Sequence, residues 1–157
     1  MTDTFHPAPA KLSQWDALSL ESLRRHGWSN EELIRRVESG ELPEDDSKFR
    51  FTYVDLVTLA REQSEIFTQA VTQGYQIKFS TLGGSRSWLF LVLNREAELI
   101  SEPGQEAVQA SLTEAEAERL ASVLSFGWTV KLQDEAVDAD GRAVYRVVPV
   151  ERGPLAV

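Results

Sequence analysis

Two glycines, Gly74 and Gly127, separate helix-like from strand-like sequence, and these junctions constrain the fold more than any other feature. Before Gly74, Ile66, Phe67, Ala70 and Val71 recur at helical spacing. After it, Tyr75, Ile77 and Phe79 alternate with Gln76, Lys78 and Ser80, as in a half-buried strand. Before Gly127, Ala117, Leu120, Ala121 and Leu124 fall at i, i+3, i+4 and i+7, behind Thr113 and Glu116 at capping-box spacing. After it, Trp128 to Leu132 alternates again. The segments GYQIKF and GWTVKL share one pattern: glycine, aromatic, polar, β-branched, lysine, large apolar. Glycine supplies the left-handed residue by which a chain leaves a helix, so shared junction logic explains much of the echo and duplication is the lesser reading.

Each junction predicts a helix followed by two strands. After the first, Leu82-Gly83-Gly84-Ser85-Arg86 reads as a hairpin turn. Trp88 to Leu93 is apolar on both faces and reads as a central strand, with a short helix as the competing reading. Ala97 to Ile100 reads as a further strand before Pro103-Gly104. After the second junction, Asp138 to Gly141 is turn chemistry and Ala143 to Val150 a final strand. Short turns favour antiparallel pairing.

The N-terminal third reads as helical. Trp15, Leu18 and Leu23 mark a helix that should stop at Gly27, and Ser29 caps a second with Glu32 three residues on. Thr52 and Ser64 are the expected caps of two more. The expected fold is α+β: a helical hairpin followed by a two-layer α/β sandwich with an antiparallel sheet, in the order αββ-αββ. The expected divisions are a tail at 1–13, the hairpin at 14–42, a linker at 43–49 (around Pro43 and an acidic run), the sandwich at 50–150 and a tail at 151–157.

Composition narrows the chemistry. The 157 residues include no cysteine, which excludes disulfides, thiolate metal sites and a cysteine nucleophile. The first residues lack the basic and apolar stretches of a secretory signal, and the longest apolar run, Trp88 to Leu93, is far short of the ~20 residues that span a bilayer. A soluble cytoplasmic protein without membrane contact is expected. The net charge of −9 leaves no broad positive field for phosphates.

No catalytic set is legible. His6 and His26 are isolated, and His26 at a helix end reads as a partner of the helix dipole. There is no G-x-S-x-G elbow. The acids Asp134, Glu135, Asp138 and Asp140 lack the glutamate a calcium loop needs, since position 147 is valine. Glu114, Glu116 and Glu118 read as a solvated helix face. Gly83, Gly84, Ser85 and Arg86 lack the Gly-Lys-Ser/Thr ending of a phosphate loop and read as a flexible hairpin tip. They are nonetheless the first choice for partner contact, because paired glycines admit close approach to the backbone. The four tryptophans read as core or docking anchors.

Residues 20–39 resemble a helix–turn–helix: helix, glycine turn, capped helix. That resemblance implies base contacts from Ser29, Asn30 and the outer side of the second helix, and phosphate contacts from Arg24, Arg25, Arg35 and Arg36. The same arginines can instead pair with Glu31 and Glu32 at helical spacing, which favours a structural or protein-binding hairpin. The expected function is that of a non-enzymatic, adaptor-like regulatory protein without cofactor or metal, acting on a protein partner or as a homodimer. The alternatives are a DNA-binding transcriptional regulator and a small enzyme with no visible constellation.

Overall fold

The computed structural model describes residues 9–150. The chain forms two compact units, the first running to Gln76 and the second starting at Ile77. The stretch expected as a linker, 43–49, lies inside the first unit. The expected tails at 1–8 and 151–157 lie outside the described residues.

The first unit is built from β1 (Ala10–Leu12), α1 (Gln14–Arg24), α2 (Asn30–Ser39), α3 (Val54–Glu62), α4 (Ser64–Gln73) and the first two residues of β2 (Tyr75–Ile77). Ser13 starts α1, its hydroxyl accepting from the Asp16 amide at 3.0 Å. Ser29 starts α2 in the same way, accepting from the Glu32 amide at 3.1 Å. Gly40, at φ 80°, ends α2 in the left-handed region that glycine enters without a Cβ penalty. Neither Thr52 nor Ser64 acts as a cap. The residue before α3 is Tyr53, at φ 64°, and the residue before α4 is Gln63. The helices bury Leu20, Leu23, Leu33, Val37, Leu56 and Phe67 completely. Buried Glu21 is satisfied by the Tyr75 hydroxyl, donating at 2.6 Å, and by Arg24 at 3.3 Å.

The second unit comprises α5 (Leu82–Leu93), β3 (Glu98–Ile100), β4 (Ala107–Leu112), α6 (Glu114–Val123), β5 (Trp128–Asp134) and β6 (Ala143–Pro149). Its four strands form one antiparallel sheet in the order β3-β4-β6-β5. Val108, Ala110 and Leu112 face Val147, Tyr145 and Ala143 across the β4–β6 register. Helix α5 packs on β3 and β4, and α6 on β4 and β5. Thr113 and Glu116 form the full capping box. The fold is therefore α+β, with an antiparallel sheet carrying helices.

Four expectations need correction. Trp88 to Leu93 is the second half of helix α5, not a central strand. An apolar run covered on all sides has no periodicity to distinguish the two. The Thr81 hydroxyl, accepting from the Gly84 amide at 3.0 Å, supplies the helix start. Gly83 to Arg86 is consequently the first turns of that helix and not a hairpin tip, with Gly84 and Ser85 buried. The αββ-αββ repeat does not exist as one sheet. The strand after Gly74 pairs in parallel with Ala10–Leu12 in a separate two-stranded sheet, whereas the strand after Gly127 joins the four-stranded one. Finally, Ala10–Leu12 is a strand with Ala10 and Leu12 buried, where a loose tail was expected.

Candidate functional site

The expected strand Tyr75–Phe79 stops at Ile77, and the chain bends at Lys78 and Phe79. The bend reverses the alternation. Ser80 turns inward and is 8% exposed, while Phe79 turns outward and is 83% exposed. Helix α6 ends at Val123, and the chain then turns sharply through Ser125, Phe126 and Gly127. The Ser125 carbonyl accepts from the amides of Gly127 (3.0 Å) and Trp128 (3.2 Å), which leaves Phe126 at the outside of the turn, 94% exposed.

The two bends are tied together within the second unit. The Ser80 amide donates to the Ser125 hydroxyl and the Ser125 amide to the Ser80 hydroxyl, both at 2.9 Å. The Trp128 indole nitrogen donates to the Ser80 carbonyl at 3.1 Å. The Val150 amide donates to the Gly127 carbonyl at 2.8 Å, which brings the half-exposed Val150 alongside. Phe79, Phe126 and Val150 thus share one end of the sheet, where β5 begins and β6 ends. Large exposed aromatics are uncommon on a folded chain, and here the neighbouring Ser80 and Ser125 are held by hydrogen bonds.

The residues singled out from sequence lie elsewhere or are otherwise engaged. Gly83 and Arg86 are exposed on α5. Arg24 donates to the Val71 carbonyl at 3.1 Å and pairs with Glu21. Arg35 pairs with Glu32 at 2.8 Å and with Glu41 at 3.4 Å, and Arg36 pairs with Glu32 at 2.6 Å. Hydrogen bonds from Arg35 and then Arg36 hold the Glu32 carboxyl below its ordinary range. Arg36 also lies 4.5 Å from the centre of the Trp28 ring, on which His26 stacks at 4.8 Å. Arg25 and Asn30 are exposed. Trp15 packs on Phe51 at 4.7 Å, and Trp88 is buried.

No family model, curated protein or solved structure matches this chain.

Its chemistry therefore rests on its own residues. A concavity of about 850 Å³ lies in the first unit between the end of α2 and the start of α3, lined among others by Asp45, Arg50, Tyr53 and Arg61. Asp45 is committed to structure: it accepts from the amides of Ser47 (3.0 Å) and Phe51 (2.8 Å) and from the Ser47 hydroxyl (2.9 Å). Burial alone would push its carboxyl up, but these bonds and the Arg50 charge hold it down. Burial pushes the Tyr53 phenol up, and its hydroxyl is hydrogen-bonded to the Ser22 hydroxyl at 2.6 Å. Glu116 and Asp138 are also held low. For Glu116, Arg95 and the Thr113 amide outweigh burial; for Asp138, the Arg142 amide contributes most. A general acid needs a carboxyl pushed upward, the opposite direction. Among the described residues no group of three or more His, Asp or Glu could hold a metal ion, and no helix is long and apolar enough to cross a membrane.

Sequence reasoning placed Phe79 on the buried side of a strand and passed over Phe126. The usable signal for Phe126 was its place after a helix end and just before a glycine, a turn position where a large aromatic has no core to enter.

Proposed function

We propose that this chain is a non-catalytic, adaptor-like regulatory protein of the cytoplasm that engages a protein partner through Phe79 and Phe126. The observation that carries the reading is the pair of exposed phenylalanines on two bends that Ser80 and Ser125 bond to each other. Aromatic anchors dominate the energy of protein contacts, and anchors already ordered lose little freedom on binding. The DNA-binding alternative over residues 20–39 has less support, because Arg24, Arg35 and Arg36 already pair with acids. Titration with random duplex at low salt tests that alternative, and it ends if no association is seen.

The proposal is tested with Phe79→Ser/Phe126→Ser in affinity purification from the source cells, quantified against the unaltered chain. Both side chains are exposed, so the melting temperature should stay within a few degrees. Proteins retained by the unaltered chain should be lost from the variant. Retention of the same set would remove the aromatic pair from recognition.

A further inference from the structure

The strand register gives the four-stranded sheet two faces of different chemistry. Trp128, Val130 and Leu132 lie on one face with Val147, Val108 and Ala110. Val108, Ala110 and Val147 are buried, and the Trp128 indole on that face reaches the Ser80 carbonyl just before α5, so this is the face the helices cover. By alternation the opposite face carries Glu98, Gln109, Arg146 and Lys131, directly paired in that order across β3, β4, β6 and β5. Ile100, Ala107, Val148 and Thr129 form the next row on it. Glu98 and Lys131 are exposed, Ala107 is buried and the others are half-buried. A concavity of about 320 Å³, lined among others by Glu96, Glu98, Gln109, Ser111 and Val144, opens on the same face.

The charges of the polar row are separated by sign and left unpaired. Lys131 and Arg146 stand directly opposite each other, and like charges so placed destabilise a sheet. Arg146 meets a neutral acceptor, the Gln109 amide oxygen, at 2.8 Å. Glu98, Lys131 and Arg146 make no ion pair among the described residues. Acid thus lies on the outer strand β3, and base lies on β6 and the other outer strand, β5.

Two such sheets packed face to face keep their strands nearly aligned, roughly 10 Å apart. A two-fold axis parallel to the strands lays β3 of each copy over β5 of the other. Each row then meets itself in reverse order: Glu98 faces Lys131, Gln109 faces Arg146, Ile100 faces Thr129 and Ala107 faces Val148. An axis across the strands would set Glu98 on Glu98 and Lys131 on Lys131, which costs free energy. One arrangement therefore makes the face complementary to itself, as an isologous interface requires. That arrangement also brings Asp134 toward Glu96 of the other copy. This like pair lies outside the regular ladder: Glu96 precedes β3, and Asp134 follows the irregularity in β5. The Asp134 carboxylate is moreover turned to its own chain, accepting from the Ala136 amide at 3.0 Å.

We infer that the open face of the β3-β4-β6-β5 sheet binds a second copy of this chain about a two-fold axis parallel to the strands, with Glu98 of each copy paired to Lys131 of the other. Four strands at ~4.8 Å spacing make a face smaller than the ~800 Å² per partner of a standard interface. The dimer is therefore weak, with a dissociation constant above ~1 μM, and salt weakens it further.

The test is sedimentation equilibrium of the full chain from about 10 μM to about 1 mM at low salt, with Glu98→Lys, Lys131→Glu and an equimolar mixture of the two variants. The unaltered chain should dimerise, and added salt should dissociate it. Each variant alone sets like charge against like at both ends of the dimer and should raise the dissociation constant at least about tenfold. Mixing the variants restores opposite charges at both ends, so the mixture should return to within about threefold of the unaltered chain. Lys131→Glu also removes the like-charge opposition to Arg146, so its monomer should melt no lower than the unaltered chain although its dimer is lost. A chain that stays monomeric at the highest concentration would overturn the proposal. So would a dimer indifferent to both charge reversals, or a mixture as monomeric as its parts. Every variant keeps Phe79 and Phe126, so the outcome is independent of the aromatic contact.

Discussion

At the scale of single residues, the decisive pair is Ser80 and Ser125. Each serine satisfies the backbone amide of the other through its hydroxyl, so neither bend leaves that donor unpaired in a part-buried place. Deleting one hydroxyl leaves an amide without its partner. Ser80→Ala should therefore lower stability by about 1–2 kcal/mol, read as a reduced midpoint in urea with an unchanged slope. An unchanged midpoint would mean that water replaces the hydroxyl at no cost. Serine suits both positions because its hydroxyl donates and accepts at once and is small enough for adjacent bends.

Among the elements, α5 shows how local chemistry outweighs an apparent turn signal. Two adjacent glycines suggest a flexible tip, yet Thr81 precedes them with its hydroxyl on the Gly84 amide. Asn94, at φ 57°, closes the other end with its amide on the Leu89 and Phe90 carbonyls. Gly83 is exposed, its φ lies outside the left-handed region, and an added Cβ would meet nothing within 4 Å. Gly83→Ala should therefore stabilise the chain by about 0.5–1 kcal/mol, because alanine surrenders less backbone freedom in a helix. A thermal melt checks the sign: a lower transition would mean that this position needs glycine after all. Strand β5 shows another local device. It is an outer strand, and Lys131 together with the irregularity between Leu132 and Asp134 discourages further strands from adding there. This agrees with contact through side chains at the sheet end.

For the whole molecule, both units depend on carboxyls that stay ionised. Glu32 and Asp45 in the first unit and Glu116 and Asp138 in the second all titrate lower in the folded chain than their ordinary values of 3.8 for Asp and 4.5 for Glu. A depressed folded pKa gives stability that is complete above the unfolded value and disappears as pH falls through the folded one. The melting temperature should therefore hold on the neutral side and drop on acidification below about pH 4.5. Glu116→Gln keeps a hydrogen-bonding group in the capping box but removes the charge on Arg95, which lies at 3.0 Å. It should cost about 1 kcal/mol at neutral pH and flatten part of the acid limb in pH-dependent melts. An unaltered acid limb would show that this pair contributes nothing to the linkage.

The sequence by itself determined the class and many of the element ends. The helix end and strand at Gly74, the caps at Ser29 and Thr113, the turn at Asp138–Gly141 and the strand 143–149 all follow from interactions within a few residues, whereas α6 stops at Val123 and Gly127 does not take the left-handed conformation expected of it. The α+β class follows from the switch of period between 3.6 and 2. Strand β4, Ala107–Leu112, was not anticipated from sequence. Pairing of the strand after Gly74 with Ala10–Leu12 joins segments some 65 residues apart, and no local pattern encodes that choice. The helix at 88–93 and the outward turn of Phe79 were likewise set by what surrounds them. A wholly apolar run takes the conformation its covering layers allow, and Phe79 faces solvent because Ser80 bonds a residue 45 positions away. The candidate contact was therefore the part least legible beforehand: it exists only where two distant bends meet.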